Sequence, residues 1–290
     1  MSCPYAGNAN SQAGCFRPKE IMEVIDLTID YLWYVVQQDD PESYERSFPH
    51  LFEHYYTFYA QRQSYSFRDT DEIFRRRNLI LEHLPVLSKR FERLGLNISD
   101  IKIALFVGHG TSNGHVLHSE KGWVVWLPIE TYHSSLAIQV FVSHEIAHAL
   151  HYQHQPDFYY RNERERSQVF RQLVTEGIAT LTSKEILGIE DKQALWADYL
   201  PYEYICKWYE QCQRRQTELF QIIAARLEES DNGLFSFSAS DNVMENRAGY
   251  YAGLVLIERY VKQHGLTIQD MFATGRQDFL QIIQSSLQPV

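Results

Sequence analysis

His144, Glu145 and His148 form the pattern HExxH inside the apolar run from Leu136 to Leu150. On an α-helix, positions four apart differ by only about 40° around the axis, so the two imidazoles share a face. Two neutral imidazoles grip one Zn²⁺ at about 2.0–2.1 Å each, and the glutamate sits beside the metal without having to bind it. The chemistry implied is metal-assisted hydrolysis. The ion brings the pKa of its water from about 15.7 toward about 7, and Glu145 takes the proton and later returns it to the leaving amine. Histidines and a glutamate on a buried helix are costly unless paired or coordinated, which favours a metal over hydrogen-bonded core histidines.

A hydrolytic zinc takes three protein ligands and leaves one position to water. Three residues compete for the third place. His154 occupies the last position of the spacing HExxHxxGxxH, but His151 stands where that pattern needs a helix-breaking glycine. On an unbroken helix His154 lies about 15 Å along the axis from His144. His151, one turn beyond His148, suits a supporting or substrate-side role better than ligation. Glu176, in the segment Leu173-Val174-Thr175-Glu176-Gly177-Ile178-Ala179, is the better candidate. A turn at Gln155-Pro156-Asp157 leads toward it, and its helix has a plausible C-cap in Gly188. Gly177 removes a side chain where two helices must approach closely around a metal.

Around these residues, Glu20 to Val36 reads as a helix ended by Asp39-Asp40-Pro41. Phe48 to Gln61 reads as an aromatic-rich helix whose stripe of Phe52, Tyr55, Tyr56 and Tyr59 is core. Asp69 to Leu94 is amphipathic, with Pro85 as its candidate bend and a stop at Gly95. Ile101–Val107 and Trp123–Leu127 have strand composition, with Gly108 to His115 as turn or loop between them. A small sheet just before the HExxH helix is placed to hold an extended substrate by strand addition. His109, His115 and His118 read as solvated loop residues rather than a second metal site. After the Glu176 helix come a long helix from Tyr202 to Leu227, a loop from Ser230 to Ser240, and a final helix from Arg247 to Gln263 stopped by Gly265. The expected fold class is α+β, mostly helical, with the sheet preceding the HExxH helix. Residues 1–18 are expected to be a disordered leader, and 19–290 one domain. That domain divides into an N-terminal helical part at about 19–98 and a metal-binding core at about 99–265.

Composition narrows the partners. With 27 Lys and Arg against 37 Asp and Glu, the net charge of −10 argues against nucleic acid or an anionic membrane as the main partner. Arg75-Arg76-Arg77 and the run Arg161–Arg166, which alternates with Glu163 and Glu165, read as solvated helix faces. Four cysteines make no disulfide framework: Cys3 and Cys15 lie in the leader, while Cys206 and Cys212 point apart on one helix. No apolar run reaches the roughly 18 residues of a membrane span, and no signal peptide stands out, so the expected compartment is the cytoplasm. Oligomeric state is not legible.

HEIAH followed by the TEGIA segment resembles the gluzincin peptidases, and more narrowly a poorly characterised family of HExxH zinc-dependent proteases. The likeness covers roughly Ile101 to Tyr260, including a Gly-rich hairpin and the segment Arg247-Ala248-Gly249-Tyr250-Tyr251-Ala252-Gly253. It implies a zincin-like fold, one Zn²⁺ held by His144, His148 and Glu176, and Glu145 as general base acting on a peptide or protein substrate. Tyr250 is the candidate donor to the oxyanion, with Tyr251 and Arg247 behind it. The sequence lacks the NExxSD form of the third-ligand helix and the GAMEN motif, so no substrate preference carries over. Two rivals stay open: a non-catalytic binding or regulatory protein with a structural or vestigial zinc, for which His151 would be the fourth ligand, and hydrolysis of a non-peptide amide or ester.

Overall fold

The computed structural model describes residues 22–231, 233–238 and 242–287. The expected leader over 1–18, with Cys3 and Cys15, lies outside them, as do Glu20 and Ile21. The architecture is α+β and mostly helical, with one small mixed sheet. Its strands are β1 (Val24–Asp26), β2 (Lys102–Phe106), β3 (His115–Ser119) and β4 (Gly122–Pro128), in the order β1-β2-β4-β3. β1, β2 and β4 are parallel, and β3 returns antiparallel to β4, pairing His115 with Trp126. Ile103 to Phe106 and Val124 to Leu127 are fully buried, which explains their unbroken apolar composition: both faces of the central strands are covered.

The helices are α1 (Thr28–Tyr31), α2 (Pro41–Arg46), α3 (Pro49–Phe58), α4 (Thr70–Arg93), α5 (Ser135–His154), α6 (Glu163–Arg166), α7 (Val169–Leu187), α8 (Asp191–Trp196), α9 (Tyr202–Arg214), α10 (Gln216–Arg226), α11 (Ala248–His264), α12 (Ile268–Ala273) and α13 (Arg276–Ser286). None of them is long and apolar enough to cross a membrane. α5 starts where the Ser134 hydroxyl accepts from Ala137 N at 3.0 Å, and is buried on nearly every side from Ala137 to Tyr152. α7 is buried almost throughout and ends at Gly188, whose φ of 65° suits a glycine cap. These two helices lie against each other, and α11 packs against α7 as well.

Several elements depart from the sequence expectation. The helix expected from Glu20 begins only at Thr28, continuing as a π-helical turn over Leu32–Gln37. The β-branched Val24 and Ile25 pair instead with Ile103 and Ala104, and the Asp26 carboxylate accepts from Thr28 N at 3.0 Å, starting the helix there. The long helix expected over Tyr202–Leu227 is two, broken at Arg215, whose guanidinium turns to Glu218 and Asn242. α11 is not the last helix: Thr267 and Asp270 form a reciprocal capping box that opens α12, and α13 follows. Pro85 faces solvent within a continuous α4. Gly177 has a different job from the one expected. A Cβ there would stand 2.5 Å from the Gly253 carbonyl oxygen, so the close approach it permits is between α7 and α11, not between α7 and α5.

Candidate metal centre

One helical turn places His144 and His148 side by side on α5, and α7 brings Glu176 to them. The His144 and His148 Nε2 atoms are 3.0 Å apart, and Glu176 Oε2 lies 3.0 Å from the first and 3.4 Å from the second. Donors held 2.0–2.1 Å from a common centre at tetrahedral angles stand about 3.3 Å apart, so this trio has the spacing one zinc needs. Glu145 also has a ligand-type atom within 4.8 Å of those of the two histidines. Its Oε2 is buried with no hydrogen-bond partner, the state of a carboxylate waiting for something the protein does not itself supply. His154 ends an unbroken α5, with its ring by Phe272, so helix continuity keeps it from the cluster. His151 is buried among Phe158, Phe272 and Phe279 with both ring nitrogens unpartnered, and does not line the cleft.

Burial dominates the electrostatics. It pushes Glu145 up to about 7, with the Glu176 carboxylate adding to the rise and His148 opposing it. Burial also works to raise Glu176, but the two imidazoles outweigh it and hold its carboxyl well below the usual carboxylate range. Two imidazoles sharing one carboxylate do not both carry a proton: burial pushes His144 down to about 4, while for His148 the Glu176 charge overcomes burial and raises it. The donor set is therefore one carboxylate and at least one neutral imidazole, which suits a divalent ion.

The trio opens on a cleft of about 360 Å³, lined also by the segment Thr111–His115, Arg166, Arg171, Arg247 and Tyr250. The segment before β3 is anchored at its base by Glu130, which accepts from Gly108 N at 3.0 Å and Gly110 N at 2.9 Å. Gly114, at φ 147°, then passes so close to Glu145 that a Cβ would sit 3.2 Å from its Cγ. Tyr250 lines the cleft with its ring centroid 6.4 Å from that of His144, and burial keeps its hydroxyl protonated. Tyr251 is not in the cleft; it is buried, and its hydroxyl donates to Gln216 Oε1 at 2.7 Å.

His115 departs most from the sequence reading. It is the first residue of β3 rather than a solvated loop residue, and its Nδ1 lies 3.8 Å from Glu145 Oε2 with Nε2 buried and unpartnered. His109 is half-buried against the Tyr56 hydroxyl at 3.1 Å, and His118 is exposed. Tyr59, read as core, lines the cleft and shares a 2.7 Å hydrogen bond with Tyr160. The clue to His115 was in the sequence: with Val116 and Leu117 after it, the residue opens a short strand that the glycine-rich stretch before it obscures.

Residues 97–281, more than half of the protein, match the family described as Predicted Zn-dependent protease (DUF2268), and the chain belongs to that family. No curated protein and no solved structure matches it.

Proposed function

We propose that this protein is a gluzincin-type zinc metallopeptidase with a zincin-like catalytic domain spanning 19–290. In this reading His144, His148 and Glu176 hold one Zn²⁺, Glu145 is the general base and Tyr250 the oxyanion donor. The observation that carries it is the 3.0–3.4 Å convergence of two Nε2 atoms and one carboxylate oxygen on two buried helices. Zn²⁺ bound there supplies Lewis acidity, polarising a carbonyl and making water acidic near neutral pH. Glu145 Oε2, buried and unpartnered, accepts the water's proton and passes it to the leaving nitrogen. His115 Nδ1 lies nearby at 3.8 Å, too far to hydrogen-bond that oxygen and leaving it free for the water. The protonated Tyr250 hydroxyl donates to the oxygen on which charge develops. Gly114 and His115, where β3 begins, border the cleft at the sheet's edge, where an extended peptide adds as a strand. At His118 the edge is taken, because the Tyr159 hydroxyl accepts from its N–H at 3.4 Å.

A purely structural zinc would need a fourth protein ligand, and His151 stands among phenylalanines away from the cleft. The test is Glu145→Gln, with zinc content measured beside turnover on a peptide library. A loss of about 10²–10⁴-fold in kcat with one zinc still bound is expected. Unchanged turnover, or function that survives without it, would leave the binding-protein reading in place.

A further inference from the structure

Three arginines line the cleft, and two are already committed. Arg171 donates through all three nitrogens, to the Phe158 and Arg166 carbonyls and the Tyr152 hydroxyl. Arg166 pairs with Glu163 through Nε and one terminal nitrogen at 2.8 and 2.7 Å. Arg247 differs. Its side chain has no hydrogen bond or ion pair among the described residues, although Glu145 and Glu176 line the same cleft. Its guanidinium carbon instead stands over two aromatic rings, 4.5 Å from the centroid of the buried Trp196 and 4.2 Å from that of Tyr250. Both contacts are to ring faces, so they hold the cation without using any of its N–H donors.

The protein holds this arrangement against a local cost. Arg247 sits at φ 58°, a left-handed conformation uncommon for a residue with a Cβ. Neighbours fix it there: Trp208 Nε1 donates to the Asn246 carbonyl at 2.6 Å, and Arg247 N donates to the Ser236 carbonyl at 3.0 Å. Strained backbone that surroundings over-determine clusters at ligand clamps. The Tyr250 ring in turn neighbours that of His144, so a single tyrosine links the guanidinium to the metal trio.

We infer that Arg247 is the cleft's carboxylate-binding residue, and that the substrates are peptides carrying a carboxylate close to the cleaved bond. The inference rests on the peptidase reading for its substrate class. A planar fork of donors takes a carboxylate in two parallel hydrogen bonds, and the aromatic clamp fixes the fork before substrate arrives. The carboxylate has two sources, the free C-terminus of the peptide or one of its Asp or Glu residues, and the experiment separates them.

Binding is measured by calorimetry and tryptophan fluorescence on zinc-loaded Glu145→Gln protein. The probes are matched peptides: a free C-terminal acid against its amide, and a Glu-containing sequence against its Gln counterpart. One pair is expected to show a preference of roughly tenfold to a hundredfold for the carboxylate member, the range for hydrogen bonds to a charged group. Adding Arg247→Gln should erase that preference while leaving affinity for the neutral member, and Arg247→Lys, which keeps the charge without the fork, should restore only part of it. Melting temperature and zinc content report whether each variant folds; if the Gln variant does not, an undiminished preference in the Lys variant overturns the inference. Equal or absent binding of both members overturns it too, as does a preference that persists in Arg247→Gln, since the metal would then be reading the carboxylate. Binding needs no turnover, so the two readings fail separately. A carboxylate preference without peptide cleavage by wild-type protein sinks the peptidase reading alone. Cleavage without the preference sinks this inference alone.

Discussion

Tyr250 carries a prediction that belongs to a single hydroxyl. It lines the cleft beside His144, burial keeps it protonated, and the Arg247 guanidinium lies against its ring at 4.2 Å. Tyr250→Phe keeps the ring and its stacking while removing only the donor. Steady-state kinetics should show kcat falling by about 10²–10³-fold with KM little changed, the mark of an interaction made in the transition state. An unchanged kcat would move the oxyanion donor elsewhere. At this scale the convergence of His144, His148 and Glu176 was legible, because their types and spacing mark them as candidate partners. His115 was not: a histidine in a glycine-rich stretch looks solvated until strand pairing with Trp126 turns it inward. Gly177 was legible as a close approach but not as to its partner, since nothing local marks Gly253, on another helix, as the residue it meets.

That pairing of glycines sets the position of α7, the element that carries Glu176. A methyl at residue 177 would meet the Gly253 carbonyl at 2.5 Å, and backbone atoms cannot rotate away. Gly177→Ala is expected to destabilise the protein by about 1–3 kcal/mol, read as a lower urea midpoint, and to weaken zinc binding by shifting Glu176, the proposed ligand next to it. A second device ties the same helix down: Lys184 Nζ bridges Asp191 Oδ1 at 2.7 Å and Glu258 Oε1 at 2.6 Å, joining α7 to α8 and α11. Burial works to raise Asp191, but Lys184 and the Tyr209 hydroxyl outweigh it and leave its pKa below the usual 3.8. A carboxyl lowered on folding contributes stability that is present above the unfolded pKa and lost as pH falls through the folded one. Asp191→Asn should therefore be less stable than wild type at neutral pH. The gap in denaturation midpoint should close only below about pH 3.8. Among the elements, α4, α5, α7 and α11 were readable from periodicity and caps. β1 was not, because three residues of a strand that is parallel and far in sequence from its partner leave no periodic signal. The break at Arg215 escaped for a similar reason, having neither glycine nor proline to mark it.

For the molecule as a whole, one ion bound by α5 and α7 would cross-link two of the most buried helices of the fold. Without it, three polar residues crowd within 3.4 Å in a buried site. A ligand bound only by the folded state stabilises by about 4 kcal/mol when present at a thousand times its Kd, worth several degrees in a protein of this size. Chelation with EDTA should lower the melting temperature by that much, and stoichiometric zinc should restore it; a melting curve indifferent to both would remove the metal from the fold's energetics. The most direct measurement is anomalous diffraction at the zinc edge from zinc-loaded crystals. The expected result is one peak bonded to His144 Nε2, His148 Nε2 and a Glu176 carboxylate oxygen, with Glu145 outside bonding distance. A peak bonded to Glu145 in place of Glu176, or no peak between α5 and α7, would contradict the account.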